Sequence, residues 1–321
     1  MNTPSITDEQ RQIEAIAKIY DACVTVNLFD INKKHIGHGS GIVYQVTNGN
    51  TYVVTNEHVA KISPYVQIAF VNGDKFDGEL LASDVFNDLA IIRINDFEAK
   101  DIATFGKTET LKLGQTVIAI GSPFYGAYLA NTVTLGIVSG HRIFPFEIGT
   151  QTGTQEWEAF LQIDASIGKG NSGGALINLE GEVVGINTWG ISQQGFHFMN
   201  FAIPSYIFSP VIHQLQEFGK VTSPPPGILF TSLGEKGENF RSQFNIPKMV
   251  QHGVVVHDIA KESFGEVLDI QKDDVIIHVG NVEISDFITF RKELFNYHSG
   301  DEIKLTVIRA GQELLLAGIV H

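Results

Sequence analysis

The segment Asp164-Ala165-Ser166-Ile167-Gly168-Lys169-Gly170-Asn171-Ser172-Gly173-Gly174 sets a serine among glycines. A serine that attacks a carbonyl needs an exposed hydroxyl beside backbone N–H groups that can hold the developing oxyanion. Flanking glycines permit the backbone angles required and leave room for a substrate carbonyl. In that reading Gly170, Asn171 and Ser172 form the oxyanion hole, with the N–H groups of Gly170 and Ser172 as donors. The same run also suits a Gly-rich hairpin between two strands, because Gly, Ser and Asn are frequent turn residues.

A serine hydroxyl is a weak nucleophile and requires a base. Of 11 histidines, His58 stands at the end of the strand-like run Tyr52-Val53-Val54-Thr55, a place that also suits a half-buried strand-capping histidine. Asp88 directly precedes the apolar strand Leu89–Ile94, where an ordinary turn aspartate would be equally at home. The three together are far more specific than each alone. Their order, His58, Asp88, Ser172, matches the chymotrypsin-type arrangement and differs from the subtilisin and α/β-hydrolase orders. Spacings of 30 and 84 residues put His and Asp in one six-strand barrel and Ser in the next, with the site in the cleft between them.

The elements that must position these residues are mostly strands. Val24–Phe29, Ile42–Val46, Tyr52–Thr55, Val66–Phe70, Phe76–Ala82 and Leu89–Ile94 are short runs rich in Val, Ile, Tyr and Phe, punctuated by Asn48-Gly49-Asn50 and Asn72-Gly73-Asp74. The pattern resumes at Thr116–Ile120, Asn131–Val138, Ala159–Asp164, Ala175–Ile177, Glu182–Trp189 and Asn200–Ile203. A dozen strands with almost no helix point to closed barrels or a sandwich. A helix with Thr7 or Asp8 as N-cap is predicted over about 7–22, and another over about 205–218 with Ile207, Val211, Ile212 and Leu215 on one face. Residues 1–220 thus read as one domain. Residues 221–226, with Pro224-Pro225-Pro226, read as a semi-rigid linker, and 227–321 as a small α+β domain with a helix over Asp286–Tyr297.

The chain has 321 residues, 43% apolar and only 18% charged, with 22 Phe, which excludes disorder as the main state. Its net charge is −14 and no Lys/Arg block interrupts it, so a nucleic-acid partner or an anionic membrane surface is not expected. Cys23 is the only cysteine, excluding an intrachain disulfide and a Cys-rich metal site; it reads as a buried small hydrophobe. No membrane span and no signal peptide are visible.

Across nearly its whole length the chain resembles the HtrA/Deg family of serine proteases. The resemblance rests on Gly39-Ser40-Gly41-Ile42-Val43, Thr55-Asn56-Glu57-His58-Val59, Asn87-Asp88-Leu89-Ala90, Gly121-Ser122-Pro123-Phe124, Thr132 to Ser139, Gln162 to Leu176, Val184 to Thr188 and Phe201-Ala202-Ile203-Pro204. It implies two six-stranded antiparallel β-barrels of chymotrypsin type followed by a PDZ domain, usually assembled as homotrimers. It implies ATP-independent cleavage of unfolded or damaged polypeptides in protein quality control and stress response, sometimes with chaperone-like holding, and no cofactor. It suggests a bacterial extracytoplasmic setting if an export segment was removed. Ser172 would attack, His58 would shuttle the proton and Asp88 would orient His58. Activity should then have an acid limb near the unperturbed histidine pKa of about 6.5. By similarity the strand Gly185-Ile186-Asn187-Thr188 pairs with the substrate, and Ser166, Ile167 and Met199 line an apolar pocket for a small or medium aliphatic side chain before the cut.

Several residues depart from the family pattern. Segment 29–37 is short where some members carry a long regulatory loop, and segment 141–157 is long enough for a sensor loop. Asn200 in Phe198-Met199-Asn200-Phe201 replaces a glycine beside the specificity pocket. In the PDZ-like part, Gly227-Ile228-Leu229-Phe230 is the candidate loop for a peptide C-terminal carboxylate, with Leu229 at the usual second glycine and Asp273 at another. Gly37-His38-Gly39-Ser40-Gly41 is followed by a strand and not by the helix a phosphate loop needs. The pairs His35/His38 and His252/His257 lack acidic or Cys partners nearby, so no metal site is expected. Three functions fit: a quality-control endopeptidase, a chaperone or adaptor with an idle triad, and a regulatory protease latent until a peptide or partner binds.

Overall fold

A computed structural model of the chain describes residues 7–123, 129–146, 156–193, 196–234 and 236–320. The chain forms two compact units, and the main boundary between them falls after Val221. The first unit opens with helix α1 (Asp8–Ile19), started by the Thr7 hydroxyl accepting from Gln10 N, with Asp8 and Glu9 in its first turn and Lys18 in its last. Arg11 pairs with Glu180 at 3.0 Å and Lys18 Nζ donates to Glu180 O at 2.9 Å, tying α1 to the second barrel.

The first barrel closes in the order β1-β2-β3-β6-β5-β4, from β1 (Cys23–Phe29), β2 (His35–Thr47), β3 (Asn50–Thr55), β4 (Tyr65–Ala69), β5 (Lys75–Asp84) and β6 (Leu89–Ile94). The second closes in the order β10-β11-β12-β9-β8-β7, from β7 (Thr116–Gly121), β8 (Thr132–Phe146), β9 (Glu156–Ile163), β10 (Ala175–Ile177), β11 (Val183–Gln193) and β12 (Phe196–Pro204). Val26, Ile42, Val53, Ile68 and Ile92 fill the first interior, and Val117, Leu161, Ile163, Leu176 and Val184 the second, so alternating β-branched residues account for both closures. Asn48 and Gly49, with φ of 52° and 77°, make the tight turn from β2 to β3.

Two elements around the candidate site differ from the sequence expectation. Strand β2 starts at His35, well before Ile42, so the glycine run lies inside a strand. Close backbone approach requires it: a Cβ on Gly39 would stand 2.5 Å from Val59 Cγ1, and one on Gly41 2.6 Å from Val53 Cγ1. His58 lies on the short helix α2 (Glu57–Ala60) that follows β3, not on the strand end itself. Segment 141–157 is strand as far as Phe146 and again from Glu156; residues 147–155 lie outside the described residues.

Helix α3 (Ser205–Phe218) ends at Gly219 with φ 70° and buries Ile207, Val211, Ile212 and Leu215, with Phe208 against Phe105. The second unit is a sheet of order β13-β14-β15-β17-β18, made of β13 (Ile228–Ser232), β14 (Val254–Ile259), β15 (Val275–Val279), β17 (Glu302–Arg309) and β18 (Gln312–Ile319), with β16 (Val282–Glu283) beside β15. It carries helices α4 (Glu238–Gln243), α5 (Phe264–Val267) and α6 (Phe287–Leu294), the last capped by Asp286. Phe230 meets Phe287 and Phe290 of α6 at centroid distances of 4.8 and 5.7 Å. The start of the Pro-rich segment is bonded to this unit: Ser299 N donates to Thr222 O, Thr222 Oγ1 meets His298 Nδ1 at 2.7 Å, and Ser223 Oγ donates to Phe295 O. No helix among the described residues is long and apolar enough to cross a membrane.

Candidate active site

Asp88 sits at a turn with φ 52°, a left-handed conformation that Asp tolerates better than most residues, and Asn56 Nδ2 holds its carbonyl at 2.9 Å. Its buried carboxylate, 5% exposed, faces the half-exposed ring of His58. His58 Nδ1 lies 2.8 Å from Oδ1 and 2.9 Å from Oδ2, and the His58 backbone N–H also donates to Oδ1 at 3.0 Å. The fourth contact comes from the second barrel, where Thr188 Oγ1 donates to Oδ2 at 2.8 Å. This arrangement fixes Nδ1 as the donor and leaves Nε2 as the basic nitrogen.

Burial works against a charged His58 ring, but the Asp88 hydrogen bond and the charges of Asp88 and Glu57 outweigh it and hold the pKa above the usual 6.5. Glu57 is itself buried and paired with Lys61 Nζ at 3.2 Å. The acid limb of activity is therefore expected above 6.5 and not at the unperturbed value.

Ser172, partly buried, follows the turn Gly168–Asn171, in which Asn171 N donates to Gly168 O at 3.0 Å and Gly170 has φ 102°. Positive φ at the third position marks a type II turn, and a Cβ on Gly170 would stand 2.4 Å from Ser122 O, so only glycine fits. The turn engages the Asn171 backbone N–H, which is therefore not free for an oxyanion. Among the described residues, the N–H groups of Gly170 and Ser172 have no protein acceptor. The Ser172 hydroxyl donates to Thr188 O at 2.7 Å rather than to His58.

One residue the sequence reading passed over clamps this loop from the first barrel. Ser40 N donates to Ser172 O at 2.8 Å, and Ser40 Oγ donates to Gly170 O at 2.7 Å. Ser40 Oγ in turn accepts from Ser122 N, and Ser122 Oγ meets Thr25 Oγ1 at 2.7 Å, both buried. A lone hydroxyl between two glycines in an apolar strand was the available signal. His38 flanks the same turn, its Nε2 2.7 Å from where a Gly170 Cβ would stand. Burial first and the neighbouring His35 second keep His38 below the usual imidazole range, against the Ser122 carbonyl.

The other expected site residues divide. Gly185 and Ile186 lie inside β11, paired with β10 on one side and β12 on the other, so neither has a free edge for a substrate strand. Asn187 is buried too, exchanging backbone bonds with Gly173 and Gly174. The register on β12 shifts between Asn187 and Gly190, and Thr188, just past Asn187, is the residue whose carbonyl meets Ser172. Ser166 is exposed, its carbonyl accepting from Thr134 Oγ1 at 2.9 Å. Ile167 packs on the second-barrel core, and Met199 is half-buried opposite Ile191. Buried Cys23 has its thiol pushed up to about 12, which makes it inert. In the second unit Gly227 has φ 57° and leads into β13, an edge strand, with Ile228 and Phe230 buried and Leu229 half-buried.

Comparison with known proteins matches both parts of the chain to known domains. The trypsin-like peptidase domain matches residues 39–186 and the PDZ domain residues 229–317. The serine protease Do-like HtrA of Lactobacillus helveticus is 35% identical over 280 residues, covering 86% of this chain and 66% of that protein. The protein of the same name from Lactococcus lactis subsp. cremoris (strain MG1363) is 33% identical over 279 residues, covering 85% and 68%. The chain thus spans about two thirds of the length of these relatives. The solved structure of the HtrA-type protease AlgW with tripeptide superposes with a TM-score of 0.70 at 26% identity, over 96% of both chains. With two six-stranded barrels, a PDZ domain and these relatives, the chain belongs to the HtrA family of serine proteases.

Proposed function

We propose that this chain is an ATP-independent serine endopeptidase that cuts unfolded or damaged polypeptides after small or medium aliphatic residues. The observation that carries this reading is the Asp88 carboxylate held by His58 Nδ1 on one side and Thr188 Oγ1 on the other, beside a glycine-framed Ser172. Ser172 Oγ attacks the scissile carbonyl, and His58 Nε2 takes its proton and gives it to the leaving amine. Asp88 steadies the imidazolium, and the Gly170 and Ser172 N–H groups receive the oxyanion. The substrate backbone pairs along Thr188–Gly190, with Ser166, Ile167 and Met199 around the preceding side chain. Residues 1–220 form the protease part, 221–226 the connection and 227–321 the peptide-binding part. There Gly227-Ile228-Leu229-Phe230 opens an edge strand to which a peptide terminus can add; a bound tripeptide in a solved relative supports peptide binding. A homotrimer with chaperone-like holding, working outside the cytoplasm, follows from the family resemblance.

A second reading, a protease latent until a peptide or partner binds, is favoured by the Ser172 hydroxyl resting on Thr188 O. One experiment tests both. The parent and Ser172→Ala are incubated with casein without ATP, and the products are sequenced by mass spectrometry. Cleavage by the parent alone supports the first reading. Cleavage that appears only after a C-terminal peptide is added supports the second. Cleavage by both proteins, or after Lys and Arg, overturns the nucleophile or the pocket assignment respectively.

A further inference from the structure

The side chain preceding the cut must enter between two segments. One is Thr188–Gly190, whose first carbonyl receives the Ser172 hydroxyl; the other is the run from Ala165 that leads into the oxyanion turn. Asn200 crosses the space between them. Its Nδ2 donates to Ala165 O at 2.8 Å, and its Oδ1 lies so near Gly190 that a Cβ there would stand 2.3 Å away. The backbone of Asn200 is held in β12 between Gly190 and Ile163, and the residue is 7% exposed. The carboxamide cannot swing aside without leaving its buried N–H group unpaired.

We infer that Asn200 sets the depth of the specificity pocket, limiting the residue before the cut to side chains no longer than Val or Thr. A glycine at this position would leave the space between Ala165 and Gly190 open, whereas the amide closes it with a polar floor. A short side chain stops above that floor. Leu, Met or Phe would have to displace the Ala165 hydrogen bond or press apolar carbon onto a polar group that water no longer reaches. The inference rests on the protease reading and narrows its substrate class.

The test measures kcat/KM for peptides identical except for Ala, Val, Leu or Phe before the cut, with the activating peptide present if casein cleavage requires one. The parent should favour Val over Leu by about tenfold or more, the range that single methylene differences produce in a pocket. Asn200→Gly should reduce that ratio by about tenfold or invert it. Asn200→Ala, which keeps strand geometry if the glycine variant folds poorly, should move it the same way. Because the ratio is taken within one protein, a general loss of activity cancels. An unchanged ratio in both variants, or a parent that prefers Leu or Phe, overturns the inference. A parent that cleaves neither casein nor any peptide overturns the protease reading, and this inference with it.

Discussion

The Ser172 hydroxyl is donated to the Thr188 carbonyl oxygen at 2.7 Å, while the Thr188 hydroxyl is donated to Asp88 Oδ2 at 2.8 Å. One residue of β11 therefore touches both ends of the proposed catalytic relay, and its carbonyl holds the proton that His58 would accept in it. In the proposed mechanism the Ser172 hydroxyl has to turn from Thr188 to His58 Nε2 before it can attack.

That rotation should be visible in covalent labelling. A fluorophosphonate probe is expected to react slowly with the free protein and faster, by about tenfold or more, when an added C-terminal peptide shifts a minor reactive state to dominance. Equal labelling rates with and without peptide would show that the resting hydroxyl imposes no barrier.

The pH profile reports on His58. The base must be neutral to accept the Ser172 proton, so activity falls as pH drops through its pKa. The Asp88 and Glu57 carboxylates place that pKa above 6.5, against the pull of burial. The acid limb of kcat/KM should lie above 6.5, and Glu57→Gln should move it to lower pH. A limb that stays put in Glu57→Gln would remove Glu57 from the electrostatics of the site.

Ser40 is bonded to both residues whose N–H groups are proposed to receive the oxyanion, Gly170 and Ser172. Ser40→Ala should lower kcat by about tenfold to a hundredfold, as small misplacements of reacting groups do, with little change in KM. Ser40→Thr should restore part of the loss. Binding of a peptide aldehyde, whose adduct resembles the transition state, should weaken in parallel with kcat. A loss shared equally by KM and thermal stability would mark Ser40 as structural only.

The second unit offers an independent stability test. Asp274 is fully buried and bound by Arg309 through two bonds of 2.8 Å, Nε to Oδ1 and Nη2 to Oδ2. Arg309→Met leaves that carboxylate without its cation and should cost about 3–5 kcal/mol. Calorimetry of the full chain should show a transition of the second unit at lower temperature, with casein cleavage by the first unit measured alongside. An unmoved transition would mean that water or a shifted protonation replaces Arg309.

The amino-acid sequence by itself determined what depends on local rules. Short β-branched runs between Asn-Gly turns specify strands, the Thr7 cap and the Gly219 stop delimit helices, and a serine framed by glycines announces an unusual backbone. His58, Asp88 and Ser172 could be singled out as candidates because each stands beside such a local signal. Only the tertiary structure decided which backbone groups remain free. The Asn171 N–H is taken by a turn, Gly185 and Ile186 have both edges filled, and the register of β11 on β12 shifts between Asn187 and Gly190. The contacts of Ser40, Thr188 and Asn200 run to residues far along the chain, as with the 130 residues between Ser40 and Gly170. Barrel closure creates such contacts: it fixes register across distant strands, and a side chain's partner then depends on that register rather than on its neighbours in sequence.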